Sequence, residues 1–233
     1  MLASSSARRL TFRFAALRFA GCLFAMTLFA VSCVSSIVRR ATILCVGLIL
    51  PAVALAQQAS GPAPQPELRA VMELLARVSS SEARFTEEKH LAALARPLLL
   101  SGRLSYARGG RVARTVFAPH EERLLVEGDT LTVESAGRGT QTLSLRNYPA
   151  AWAFVEGFRA TLAGDLPTLQ RYYRTAFRGD SVSWSLELLP REEQMARYVE
   201  SITFRGSRGA ITGIAIAETG GNRSLMKITP DVP

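Results

Sequence analysis

Residues 98–106 read LLLSGRLSY. Here Leu98, Leu100, Gly102, Leu104 and Tyr106 alternate with Leu99, Ser101, Arg103 and Ser105. A period of two marks a β-strand, because successive side chains point to opposite faces of a sheet. The pattern returns at Arg114–Phe117, Arg123–Val126, Leu131–Val133, Thr142–Leu145, Val182–Leu188, Ser201–Phe204, Ile211–Ala217 and Ser224–Ile228. Turn signals separate these segments: Arg108-Gly109-Gly110, Glu127-Gly128-Asp129, Ala136-Gly137-Arg138-Gly139, Gly206-Ser207-Arg208-Gly209 and Gly220-Gly221-Asn222. The spacing predicts a meander of short antiparallel strands with one apolar and one polar face.

Two segments break the period. In Glu67–Ser80, Leu68, Val71, Met72, Leu75 and Val78 recur at helical spacing. Within Pro149–Phe177, Ala151, Phe154, Val155, Phe158 and Leu162 mark one helical face. Gly164 is placed to stop that helix, and Asp165 to cap a second short one containing Pro167, Leu169 and Tyr173. The order is helix, strands, helices, strands, and the class is α+β, mostly β. No repeat at a fixed period of 20–50 residues is visible.

Composition along the chain is uneven. The 233 residues carry a formal charge of +9, yet all 19 acidic residues lie after position 56. Residues 1–56 hold six arginines and all three cysteines, Cys22, Cys33 and Cys45. The remaining residues have a net charge of +3 and no cysteine. The basic excess therefore belongs to a leader, and it gives no reason to expect nucleic acid as a partner.

Residues 41–56 read ATILCVGLILPAVALA after Arg39-Arg40. This is the layout of a secretory signal peptide, with Ala54 and Ala56 as the small residues before the cut. The apolar run is short of the roughly 20 residues that a membrane span needs. Cleavage is expected after Ala56, followed by a Pro/Ala/Gln linker over 57–66 and a domain over 67–233. The upstream apolar stretch 10–38 is read as the product of an early start, with Val34 or Val38 as alternative initiators. A rival is that Ala30-Val31-Ser32-Cys33 is a lipobox with Cys33 lipidated, which would make a membrane-anchored form. An exported chain without cysteines suits an oxidising periplasm.

Catalytic readings find little support. Gly179-Asp180-Ser181-Val182 looks like the nucleophile block of GDS-type esterases, but His90 and His120 are the only histidines and both precede it. A turn into the strand Val182–Leu188 explains the same residues. The two histidines match no metal-ligand spacing. Glu87-Glu88 and Glu192-Glu193 are read as solvated pairs, taking each to lie on a helix, where adjacent residues point to different sides. There is no P-loop and no G-x-G-x-x-G after a strand. No enzyme, metal or nucleotide is expected.

The apolar faces carry Trp152, Phe154, Phe158, Trp184, Phe204 and Tyr106. Beside them stand Leu104, Leu124, Val126, Leu131, Val133, Leu186, Ile214 and Ile216. These residues could fill an ordinary core. They could equally line a cavity under a curved, partly covered sheet, and periodicity does not distinguish the two.

The order of motifs resembles the LolA family of periplasmic lipoprotein carriers. Ala83-Arg84-Phe85-Thr86-Glu87 follows the first helix, then Gly102-Arg103-Leu104-Ser105-Tyr106 and Arg108. Pro119 and Leu125-Val126-Glu127-Gly128-Asp129 are similar to that family's P…LV-x-D-G turn, and Leu188-Leu189-Pro190 to its L-x-P segment. Ile211–Ile214 with Glu218–Ser224 resembles its closing hairpin. The match spans about residues 67–229. Leu162–Leu166 looks more like a divergent branch found beside lipid or polyketide-like biosynthesis genes. Residues 108–110 read Arg-Gly-Gly where the family usually has Arg-Pro, and Arg111–Phe117 replaces an aromatic-rich strand.

The resemblance implies an unclosed antiparallel half-barrel with a helical lid over a hydrophobic cavity formed by the fourteen apolar residues above. It implies that Arg108, with Arg111 and Arg114 as nearby contenders, holds the lid closed. The cargo would be an acylated lipoprotein or another acylated lipid, carried toward the outer membrane. Partners would be an inner-membrane exporter and an outer-membrane receptor, and the protein is expected to be a monomer. Alternatives are a lipid-sensing regulatory module of similar fold and a membrane-anchored acceptor.

Overall fold

The computed structural model describes residues 66–231. The leader and nearly all of the expected linker lie outside the described residues. The chain begins with helix α1 (Pro66–Ala76), followed by strands β1 (Ser80–His90), β2 (Leu98–Ala107), β3 (Arg111–Ala118), β4 (Glu122–Glu127), β5 (Thr130–Ser135) and β6 (Gly139–Ser144). A short 3₁₀ turn (Leu145–Asn147) leads into helices α2 (Pro149–Ala163) and α3 (Leu166–Tyr172). Strands β7 (Tyr173–Gly179) and β8 (Trp184–Pro190), helix α4 (Glu193–Ala196), and strands β9 (Val199–Ser207), β10 (Ala210–Glu218) and β11 (Arg223–Pro230) complete it.

All eleven strands form one open antiparallel sheet in the order β6-β5-β4-β3-β2-β1-β11-β10-β9-β8-β7. Each half is a meander of neighbours in sequence. The first and last strands join the halves at the centre, in register from Ala83↔Pro230 to His90↔Arg223. The edges β6 and β7 remain open.

Helix α1 ends at Ala76, four residues short of the expected Ser80, because Ser80 already pairs with Ala107 as the first residue of β1. The helix buries Leu68, Val71, Met72 and Leu75. Gly164 adopts φ +67°, and its amide closes α2 onto Ala160 and Thr161. Asp165 then caps α3 by accepting from the Thr168 amide at 3.0 Å. Tyr173 and Phe177, taken above as part of the helical segment, belong instead to β7. A spacing of four fits one helical turn and two strand repeats alike, so those two residues do not decide between them. Tyr173 starts the strand with an extended backbone and pairs with Pro190.

The helices cover the sheet unevenly. Helices α1, α2, α3 and α4 pack over the β7–β9 side around Leu169, Tyr173, Leu186, Leu188, Ile202 and Phe204, all fully buried. A second cluster closes over β4 and β5, where Leu124, Val126, Leu131 and Val133 meet Leu145 and Val155. Between them, Ala83, Phe85, Val116 and Ile228 form a third small cluster on β1, β3 and β11. Gly102 admits the Phe85 ring there. A Cβ at position 102 would lie 2.7 Å from Phe85 Cε1 and 1.9 Å from the Thr115 carbonyl oxygen.

Gly164 tests how α1 and α2 are joined. A Cβ there would stand 2.1 Å from the Met72 carbonyl oxygen, and the left-handed backbone adds about 1–2 kcal/mol for any L-residue. Gly164→Ala is expected to lower unfolding free energy by at least about 2 kcal/mol in urea titration, whereas Gly128→Ala, with open space around it, loses only the backbone part.

Candidate functional site

The stretch of sheet that the helices leave uncovered bounds a cavity of about 890 Å³. Its floor is the inner face of β1, β2, β3, β10 and β11, and its roof is formed by Leu75 and Val78 with Phe154, Val155, Phe158 and Leu162 of α2. A volume of that order lies within the roughly 300–1,000 Å³ of ligand cavities.

Of the residues anticipated to line a cavity, Leu104, Tyr106, Val126, Phe154, Phe158, Phe204, Ile214 and Ile216 do so. Leu124, Leu131 and Val133 pack in the β4–β5 cluster, with Trp152 resting against it. Trp184 and Leu186 sit in the filled core beneath α2 and α3. The indole of Trp184 lies against Gly206 and donates to the Arg208 carbonyl at 2.9 Å. The apolar faces thus form a core at both flanks and a hollow between them.

Arg108, Arg111 and Arg114 have three different environments. Arg108 Nη2 donates to the Ala76 carbonyl at 2.6 Å. That carbonyl ends α1, where helical acceptors lack intrahelical partners and a cation is favoured by the helix dipole. Arg111 pairs with Glu127 at 2.9 Å on the surface. Arg114 reaches along the inner face, crosses the Phe85 ring at 4.9 Å from its centre, and meets Glu87 Oε2 at 2.5 Å.

Two of these features were not legible beforehand. Glu87 was expected to be solvated beside Glu88; on a strand the two point to opposite faces, and Glu87 is 7% exposed. It accepts from Arg114 and, through Oε1, from Ser224 Oγ at 2.6 Å. Arg159 of α2 is the other. Its Nε donates to the Gly110 carbonyl at 2.8 Å and its Nη1 to Glu156 at 3.1 Å, while Nη2 is buried without a partner. Arg108 and Arg159 therefore fasten α1 and α2 to the ends of the same β2–β3 hairpin. Burial of an arginine on an apolar helix face was the available signal.

Helix α2 is held over β7 by further contacts. Tyr173 Oη donates to the Ala153 carbonyl at 3.2 Å, and Gly157 leaves room for its ring. Burial pushes the Tyr173 hydroxyl pKa well up, so it remains a donor. At the other suspected site, Asp180 Oδ1 accepts from the Val182 and Ser183 amides at 2.8 and 2.9 Å. Those backbone bonds hold its carboxyl below the usual aspartate range. The Asp180-Ser181 pair is thus a turn before β8, which begins at Trp184 rather than Val182. Among the described residues, no group of three or more His, Cys, Asp or Glu could hold a metal ion.

An open antiparallel sheet half-covered by helices, with an apolar hollow between them, places the chain among single-sheet cavity folds. The chain belongs to the outer membrane lipoprotein carrier protein LolA-like family, whose family model matches residues 60–224. Among solved structures it is similar to a LolA superfamily protein from Nitrosomonas europaea at 11% identity, covering 72% of this chain and 95% of that one, with a TM-score of 0.39. It is also similar to a DUF1329 family protein from Desulfovibrio piger (10% identity, 70% and 88% covered, TM-score 0.39). A putative outer membrane lipoprotein-sorting protein domain from Vibrio parahaemolyticus follows (12% identity, 70% and 90% covered, TM-score 0.37). No curated protein matches the sequence. Among the described residues, no helix is long and apolar enough to cross a membrane.

The Arg114–Glu87 pair gives a direct test of this interior. Removing one partner of a buried pair leaves an uncompensated charge and costs about 3–5 kcal/mol, whereas replacing both is nearly neutral. Glu87→Ala is expected to destabilise the fold by about 3 kcal/mol. The Glu87→Leu/Arg114→Met double variant is expected to recover most of that loss in chemical denaturation. Equal losses in both would place the pair at the solvent surface.

Proposed function

We propose that this protein is a periplasmic carrier of acylated cargo, either lipoprotein acyl chains or another acylated lipid, shuttled toward the outer membrane. The uncovered apolar cavity carries this reading. Its lining includes Ser80–Ala83, Glu87 and Lys89 of β1, positions that span roughly 30 Å at about 3.3 Å per residue. That is long enough to lay an extended acyl chain along the floor. Each buried methylene gains about 0.8 kcal/mol, so a long chain gains on the order of 10 kcal/mol. Such a chain does not cross an aqueous compartment uncovered, and a container that closes around it meets that need.

In this reading α1 and α2 form the lid. Arg108 and Arg159 close it, because each ties a lid helix to the β2–β3 hairpin through a backbone carbonyl. Arg111 and Arg114 hold carboxylates instead, and we assign them to the barrel wall. Cargo entry then competes with two hydrogen bonds, each worth on the order of 1–3 kcal/mol when charge-assisted, and with the apolar packing of α1 and α2 against the core. Export would follow cleavage after Ala56, giving a monomeric shuttle that meets an inner-membrane donor and an outer-membrane acceptor. Its work is binding, without chemistry.

Filling the hollow tests the reading. Ile214 lines the cavity and is only partly buried. The wild-type protein is expected to bind a fluorescent fatty-acid probe and to retain lipid through gentle purification, seen by native mass spectrometry. Ile214→Trp is expected to weaken probe binding at least tenfold with little change in melting temperature. Undiminished binding in that variant, or no binding in the wild type, contradicts the carrier function.

A further inference from the structure

Four cations line the cavity: Lys89, Arg111, Arg114 and Arg123. Three of them already hold a carboxylate. Arg111 lies 2.9 Å from Glu127, Arg114 2.5 Å from Glu87, and Arg123 3.9 Å from Glu134. Lys89 makes no ion pair among the described residues. The residue is half-buried, so part of its side chain is covered while its ammonium has no protein anion as partner.

Its position is defined by the sheet. Lys89 follows Glu87 by two residues on β1 and therefore shares its inner face. It stands directly across from Ser224 on β11. Ser224 gives its proton to Glu87, and Arg114 gives its charge to the same carboxylate. The other acid at this end, Glu218, accepts from the Asn222 amide at 3.4 Å. Arg114 and Glu87 thus neutralise each other, Glu218 keeps its own negative charge beside an amide, and Lys89 is the cation lining the hollow that makes no ion pair with a carboxylate among the described residues. From this end the floor runs apolar through Met226, Ile228, Ile214 and Leu104.

We propose that Lys89 receives the anionic head of the amphiphile, a carboxylate or phosphate, while its chain lies along the apolar floor. Arg114 takes no part in this, since an anion there would have to displace Glu87 and leave it buried and unpaired. The inference rests on the carrier reading and adds to it the direction in which the cargo lies and the charge of its head.

Competition with a fluorescent probe tests it. The competitors are palmitate, 1-palmitoyl lysophosphatidic acid and monopalmitoylglycerol, which share a chain and differ in head. In low salt at least one of the two anionic ligands is expected to bind at least tenfold more tightly than the neutral one, and the gap is expected to shrink at high salt. A gap for palmitate alone identifies a carboxylate head, and a gap for the lysophosphatidic acid alone a phosphate head. Lys89→Gln is expected to abolish the gap while leaving monopalmitoylglycerol within twofold of wild type, and Lys89→Arg to preserve it. Equal affinity for all three in the wild type, or a gap that survives Lys89→Gln, overturns the role of Lys89 and leaves the carrier reading standing. Failure of all three ligands to bind overturns both.

Discussion

The pairing of the first strand with the last holds this molecule together. Strands β1 and β11 are at the two ends of the folded chain, yet they lie side by side at the centre of the sheet. Ser224 and Glu87, 137 residues apart, share a hydrogen bond across that seam, and Arg84 meets Asp231 across 147. Each half of the chain is a local meander, so its own strands close short loops. The seam closes the longest loop in the fold and so carries the largest closure entropy. Without it there would be two separate sheets and no common floor.

The seam is also where the helices stand away from the sheet, across the cavity. Helices α2 and α3 lie between the halves in sequence and cross from the β6 edge to the β7 edge, covering the flanks they connect. The β1–β11 centre is bridged only at its margin by Leu75, Val78 and the inner face of α2. A sheet face that is apolar but not fully covered must either collapse or be filled by something else. Arg114, laid over the Phe85 ring that Gly102 admits, covers part of this floor from the cavity side, and the remainder stays open. The same strand that makes the seam carries Glu87 and Lys89, so the joint of the barrel and the polar end of the cavity are one structural element.

Much of the fold was readable from period-two patterns, which mark strands with one apolar face clearly: β2, β4, β5, β8, β9 and β10 fall where the alternation predicts. Strand β1 is less legible by pattern alone. Its buried residues are Ala83, Phe85 and Glu87, one of them a carboxylate, and only the resemblance of 83–87 to a family motif singled it out. Strand β7 was hidden because Tyr173 and Phe177 suit a helix as well as a strand. Helix stops were well specified, since Gly164 and Asp165 act through backbone conformation and local hydrogen bonds. The hollow was not legible from periodicity, and only the family resemblance implied it. Leu131 and Leu104 have the same chemistry and the same alternation, and one is in a packed cluster while the other faces the cavity. That difference depends on where the helices lie. Likewise, whether Arg108 or Arg159 reaches a carbonyl depends on tertiary placement rather than residue type.

The central claim is that the uncovered centre of the sheet holds an acyl chain. A palmitate analogue bearing a diazirine near its methyl end reports this directly when photolysed on the protein and mapped by peptide mass spectrometry. The account predicts cross-links on Ile228, Leu104 and Tyr106, which line the floor away from Lys89, competed away by unlabelled palmitate. Cross-links confined to the exposed Leu94, Leu99 and Phe117, or spread over the surface without competition, would contradict it.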